Sequence, residues 1–459
     1  MRLRKDQIRA RVNAPLTLEF TARGLTSFAG VELLIRFCRS IDLNQRLHQH
    51  LDRLCLKGDF GATRMLRVLL LLVILGGSRL RHLENLGDDP MVLRFCGLGK
   101  MPTPRTASRW LRQFHMPMVR TLAGVNADVV ASSVREQGIK QLTIDVDGTV
   151  CSTGLNVEWA QRGYNPHQRK VPSYFPITAH LAETGHFLRA RNRPGNVNDG
   201  AASIGFLREV NRQIEETLGT GYRQRYRMDG AFFHAGVLSR LLGFGAEFAV
   251  KVPFHRWLGL REMIQERKRW KRVDPGVQGF ASVLEVPQWG LSLRVAIYRK
   301  RVHHPTAKNY QLDLFDPNDG TWEYSAVATN LSFGLKRLWR FMCGRGQHEK
   351  VIGELKNGYA FDSIPTMRYG ANSAWQQISV LAHNLMVNFQ IATGATPKPR
   401  TWKHTGNYII QSIKTLRFTL LNRAGQILRP GGRAVLRLAP TQGPRRLMER
   451  MADALEKAA

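Results

Sequence analysis

Four acids invite a chemical reading in a chain whose 68 Lys and Arg far outnumber its 35 Asp and Glu. Asp145 and Asp147 lie in "QLTIDVDGTVC", Asp229 follows "RQRYRM", and Glu349 sits in "GRGQHEKVIGELKNG" between Arg345 and Lys356. Carboxylates kept beside a polyanion need a cation between them, and a divalent metal is the usual one. Two such ions about 3.5–4 Å apart polarise a scissile phosphate, generate the nucleophile and stabilise the leaving oxygen. A site of that kind draws its carboxylates from separated segments, as these are. Taken singly each acid has a plainer reading: an Asp at a strand end as a turn residue or cap, a Glu on a helix as a solvated side chain.

The spacing around Glu349 says more. Arg345, Glu349 and Lys356 stand at intervals of four and seven. On a helix these steps rotate by about 40° and about 20°, so the three share a face. The acid would hold metal while the cations take the flanking phosphates; the plainer alternative is an i,i+4 ion pair. Gly344, Gly346 and Gly353 weaken the helix here and leave Arg345 on the preceding turn as an alternative. Glu354 competes with Glu349 in sequence but points about 140° away. Asp145 and Asp147 project to the same side of a strand, and each is a candidate metal ligand.

The elements that must position these residues follow from apolar periodicity. Residues 1–137 read as helical, with apolar spacings of three and four in "VELLIRFCRSIDLNQRLHQHL" and "TRMLRVLLLLVIL". Thr103 and Pro104 open a short helix that carries Arg105, Arg109 and Arg112 along one side, either a DNA-reading helix or an ordinary solvated face. From 138 the pattern changes to alternation: a strand at "QLTIDVDGTVC", two more at "SYFPITAHLA" and "HFLRARNRPGN", a helix capped near Asn198 or Asp199, then a fourth strand ending at Asp229. The order predicts an α/β fold with a mixed sheet over 138–235. Residues 236–330 read as a β-rich insertion, 331–400 return to helix, and 401–459 form a basic C-terminal region.

Composition bounds the partners. A net charge of +33 spread along 459 residues favours a long polyanion, nucleic acid before an acidic membrane surface. Five cysteines without a C-x-x-C pair read as reduced core thiols of a cytoplasmic protein. The basic N-terminus lacks the apolar core of a signal peptide, and "MLRVLLLLVILGG" is far short of the ~20 residues that span a bilayer. The expectation is a nucleic-acid protein with no membrane partner.

The segment R-x3-E-x6-K at Arg345, Glu349 and Lys356, with "DVDGT" at 145–149 and "YRMDGAFF" at 226–233, resembles the signature of the DDE transposases of bacterial insertion sequences, in the insertion-sequence-4-like superfamily. "RPGNVND", "LDLF" followed by "VATN", "EKVIGELKNGYAFD" and "LAHNL" are most similar to its insertion-sequence-1380-type group. The resemblance runs from about residue 60 to 440 and departs from the signature at one point, where Met342 stands in place of a tyrosine.

What the resemblance implies is an RNase H-like core interrupted by the β-rich insertion and preceded by a helical DNA-binding region. It implies Asp147, Asp229 and Glu349 as catalytic ligands of two Mg²⁺ ions, with Asp145 as a further candidate ligand and Mn²⁺ as the expected substitute. Arg345 and Lys356 would contact DNA phosphates. Arg269 and Trp270 in the insertion would contact DNA, with Trp270 either stacking on an unpaired base or packing the β region. The implied partners are the terminal inverted repeats and target DNA, held by a homodimer or higher oligomer at a bacterial nucleoid. Two other functions stand beside it: a DNA-binding regulator without catalysis, and a nuclease of the same fold that does not join strands.

Overall fold

The computed structural model describes residues 4–14, 16–18, 24–154, 156–163, 165, 168, 170–301, 321–399, 405–439 and 441–458. The "LDLF" motif and the turn "DPNDG" lie outside the described residues.

Helices dominate the N-terminal region, as their apolar spacing predicts: α1 (Val31–Ser40), α2 (Leu43–Leu51), α3 (Ala62–Ile74), α4 (Pro90–Cys96), α5 (Pro104–Leu111) and α6 (Met116–Glu136). Asp89 and Thr103 cap α4 and α5, each accepting from backbone N–H groups of the first turn, with proline at the next position. Residues 31–129 do not form a core of their own. Leu66, Leu69 and Leu70 of α3 share one apolar cluster with Trp375, Ile378 and Leu381 of a long central helix and with Met451 and Leu455 near the C-terminus. A small sheet also ties the ends together, because Leu25–Thr26 pairs with Gly425–Leu428, which pairs with Val435–Leu438.

The middle of the chain builds a nine-stranded sheet from β1 (Gln141–Gly148), β2 (Ile177–Leu181), β3 (His186–Arg191), β4 (Arg223–Met228), β5 (Glu247–Val252), β6 (Lys271–Asp274), β7 (Val277–Val286), β8 (Leu291–Arg301) and β9 (Trp322–Thr329). The spatial order is β3-β2-β1-β4-β5-β9-β8-β7-β6. The strands β1, β4 and β5 run parallel and the other pairings are antiparallel, so the sheet is mixed. The region read as an insertion therefore continues the same sheet, joined where Glu247–Val250 of β5 pair in parallel with Arg225–Met228 of β4.

One face of this sheet is apolar. Leu142, Ile144, Val146, Tyr226, Phe248 and Val250 pack against Phe206, Leu207 and Val210 of α7 (Ile204–Leu218) and Val237, Leu238 and Leu241 of α8 (Ala235–Gly243). The opposite face carries Thr143, Asp145, His180 and Arg227, all buried. It is covered by α9 (Leu335–Cys343), α10 (Gly346–Tyr359) and α11 (Tyr369–Ala392). The final helix is α12 (Gln442–Ala458).

Two expectations need correction. The helix expected to start at Asn198 or Asp199 begins instead with a single turn at Ala201–Ser203, followed by α7, and neither side chain caps it. Of the five thiols, Cys55 and Cys343 are exposed rather than core, while Cys96 and Cys151 are buried, and none of the five forms a disulfide. No helix among the described residues is long and apolar enough to cross a membrane.

Candidate active site

The first two acids meet because of strand register. The parallel pairing of β1 with β4 places Asp145 opposite Arg227. Two residues on, where both strands end, the same register brings Asp147 and Asp229 to adjacent strand ends, the carboxyl end at which open α/β sheets bind ligands. Arg345 closes the arrangement: one guanidinium nitrogen, Nη2, stands 2.7 Å from Asp147 Oδ2 and 3.5 Å from Asp229 Oδ2. Asp229 also turns the chain, its Oδ1 accepting from the Ala231 N–H at 3.0 Å.

Around these ends lies a cavity of about 720 Å³, lined among others by Asp147, Asp229, Asp199, Asn198, His234 and Lys356. Asp199 is a residue whose role the sequence reading missed. Its carboxylate accepts from Arg193 Nη2 at 2.5 Å, so the loop motif "RPGNVND" is held by an ion pair between its first and last residues. The spacing of that charged pair was the available signal. Gly148 permits the approach, since a Cβ there would stand 2.6 Å from both Asp199 Oδ2 and the Phe175 ring.

Burial and mutual repulsion perturb these acids. Burial pushes the Asp147 carboxyl up to about 7; Arg345 pulls the other way, and the neighbouring Asp229 and Asp199 add to the rise. Asp199 is also raised by burial, against the pull of Arg193. Three carboxylates thus meet at one cavity, with Arg345 set against Asp147 and Asp229 and Arg193 against Asp199. That is a donor set of hard oxygens suited to Mg²⁺ or Mn²⁺.

Asp145 is differently placed. It is fully buried, does not line the cavity, and accepts from Arg227 Nε at 2.6 Å and Nη2 at 2.7 Å. Burial alone would raise its pKa, but the Arg227 guanidinium and a contact with His180 hold it well below the usual carboxylate range. Arg227 is itself satisfied, donating also to the Phe341 carbonyl at 2.7 Å.

The expected stripe on α10 is present at both ends. Arg345 is the N-cap residue of α10, with helical φ and ψ, and reaches the two acids. Lys356 Nζ donates to the Val150 carbonyl at 2.7 Å, just past β1. Glu349 lies in the first turn on the same face, but is exposed and is not among the cavity-lining residues. Glu354 is engaged elsewhere, its Oε1 accepting from the Ile413 N–H at 2.6 Å. Met342 is buried beside Leu338 and Phe333, so it serves packing.

The proposed DNA contacts lie apart from the cavity. Arg105, Arg109 and Arg112 are all exposed, while Ala107, Trp110 and Leu111 of the same segment are buried. Arg269 is exposed. Trp270 packs edge-on against Phe280 at 4.9 Å, with Arg299 over its ring at 4.3 Å. A second aromatic group lies nearer the cavity: Phe233, a lining residue, touches Trp289, which touches Trp257, and Trp257 is 47% exposed.

No curated protein matches the sequence. Among solved structures, the chain is similar to piggyBac transposase as seen in a cryo-EM structure of its synaptic complex with hairpin DNA, at 10% identity and a TM-score of 0.44, over 93% of this chain and 81% of that one. The family described as transposase DDE domain, group 1, matches residues 9–459. A match over nearly the full length shows that the chain belongs to this family of transposase DDE domains.

Proposed function

We propose that the chain binds the terminal inverted repeats of a bacterial insertion sequence, cleaves DNA at their boundaries and joins the freed 3′-OH ends to target DNA, acting as a dimer or higher oligomer. The observation that carries this reading is the pairing of Asp147 with Asp229 at adjacent strand ends beneath one arginine.

Asp147, Asp229 and Glu349 would hold two Mg²⁺ ions, whose contribution is to activate the attacking oxygen and neutralise the scissile phosphate. Arg345 balances the two aspartates and, with Lys356 on the same stripe, supplies cations for the phosphates flanking the reaction. Asp199, fixed by Arg193, adds a third carboxylate to the cavity lining. Asp145 anchors β1 to β4 through Arg227. Trp257, 47% exposed with His255 stacked beside it, makes a better platform for an unpaired base than Trp270, which Arg299 covers.

The test is Mg²⁺-dependent cleavage of DNA carrying the terminal repeats of the encoding element, comparing wild type with Asp229→Asn and Glu349→Gln. Each substitution is expected to lower the cleavage rate by about a thousandfold, about 4 kcal/mol of transition-state stabilisation, with repeat binding retained. Repeat binding without cleavage by folded wild type, with Mn²⁺ also tried, would instead identify a regulator.

A further inference from the structure

Behind the acids, on the buried face of the sheet, two histidines are left unbonded. His180 of β2 and His348 of α10 are each 0% exposed and their rings stand 5.2 Å apart. Among the described residues, none of their four ring nitrogens has a hydrogen-bond partner. Burying a polar atom without a partner is unfavourable, so two such side chains facing each other need an account. A charged group lies close by, since Asp145 Oδ2 is 3.7 Å from His180 Nδ1. One ligand atom from each of Asp145, His180 and His348 lies within 4.8 Å of the others.

We propose that Asp145, His180 and His348 form a buried transition-metal site, suited to Zn²⁺, that fastens α10 to β1 and β2. Two imidazoles and one carboxylate are a borderline nitrogen and oxygen set that selects Zn²⁺ over Mg²⁺. Three such ligands at about 2.1 Å from zinc lie roughly 3.4 Å apart, so zinc would draw the present atoms, which lie within 4.8 Å of one another, closer together. The bonds that Asp145 accepts from Arg227 use part of its lone-pair capacity and orient it, as outer-shell donors orient ligating carboxylates. The site is distinct from the reaction cavity, since none of the three residues lines it. Its place is consequential: His348 precedes Glu349 and Asp145 lies two residues before Asp147. A metal here would set the position of α10 relative to the catalytic strand.

The experiment uses the full chain, stripped with a chelator and re-equilibrated with Zn²⁺ in the presence of excess Mg²⁺. Elemental analysis should find about one equivalent of zinc, and X-ray absorption at the zinc edge should show two imidazoles with no sulfur. Asp147→Asn should keep that zinc and His348→Gln should lose it. Folded wild type that takes up no zinc overturns the proposal, as does zinc coordinated by sulfur or by oxygen alone, or zinc lost in Asp147→Asn and kept in His348→Gln. Because the spectrum is read on wild type, a His348→Gln variant that fails to fold leaves the test decisive. Zinc content does not depend on DNA cleavage, so this inference can fail or stand separately from the transposase reading.

Discussion

Asp145 and Asp147 stand two residues apart on one strand face yet meet opposite surroundings. Register decides the difference: across the parallel pairing Asp145 faces Arg227, while Asp147 approaches Asp229 at the strand ends. The two acids were legible in the alternating pattern of β1, but their separate roles were not, because Arg227 lies 82 residues away and only the fold sets it opposite. Asp199 was hidden for a related reason, since it sits on a loop where no periodicity marks which way a side chain points. A consequence can be measured in the metal-free protein. The folded-state value for Asp147 is raised to about 7, above an unfolded value of about 4. The fold thus favours its neutral form, and that stability is full below about pH 4 and lost as pH rises through 7. Asp147→Asn removes the cost of ionisation, so its melting temperature should exceed that of wild type at pH 8, by about 1 °C per kcal/mol relieved in a chain of this length. The gap should shrink toward pH 4. Added Mg²⁺ should raise the melting temperature of wild type more than that of the variant. A gap that is absent at pH 8, or constant with pH, would show that Asp147 is not held protonated by its surroundings.

The helix α11 illustrates what an element's pattern reveals and conceals. Its apolar spacing marked Leu381, Leu385 and Val387 as core, and all three are buried. The same helix also buries Gln376, Gln377, His383 and Asn384, which an amphipathic reading would have sent to solvent. For Gln377 and Asn384 the partner is the outer strand of the sheet. Asn384 accepts from the Phe187 N–H at 2.9 Å and donates to the Phe187 carbonyl at 2.8 Å, and Gln377 donates to the Ala190 carbonyl at 3.0 Å. Asn126 of α6 adds a bond to the Phe187 carbonyl at 3.0 Å. Side-chain amides thus complete the edge of β3, which would otherwise leave backbone groups unpaired in the interior. Asn384→Leu should destabilise the protein by about 1–3 kcal/mol, read as a shift of the denaturant midpoint, while Gln377→Leu should cost less because it makes one such bond. Equal stability of Asn384→Leu and wild type would mean that water or another side chain serves this edge.

At the scale of the molecule, the excess of positive charge has to be located before it means anything. The +33 charge predicts a polyanion partner without saying where it binds. Folding supplies one candidate location: α5 keeps Ala107, Trp110 and Leu111 in the core and leaves Arg105, Arg109 and Arg112 exposed. Because the arginines face outward, removing them leaves packing intact, and because they do not line the cavity, they can be tested apart from the chemistry. Arg109→Ala should weaken binding to terminal-repeat DNA and reduce the dependence of log affinity on log salt by about 0.9 for each phosphate that the arginine neutralises. If Arg109 instead reads a base edge, affinity for the repeat should fall by about 1–3 kcal/mol while binding to unrelated DNA stays the same. In either case the melting temperature and the cleavage rate at saturating DNA should match wild type. Unchanged affinity at every salt concentration would remove α5 as the reader and send the search to the exposed cations of the β-rich region around Arg269.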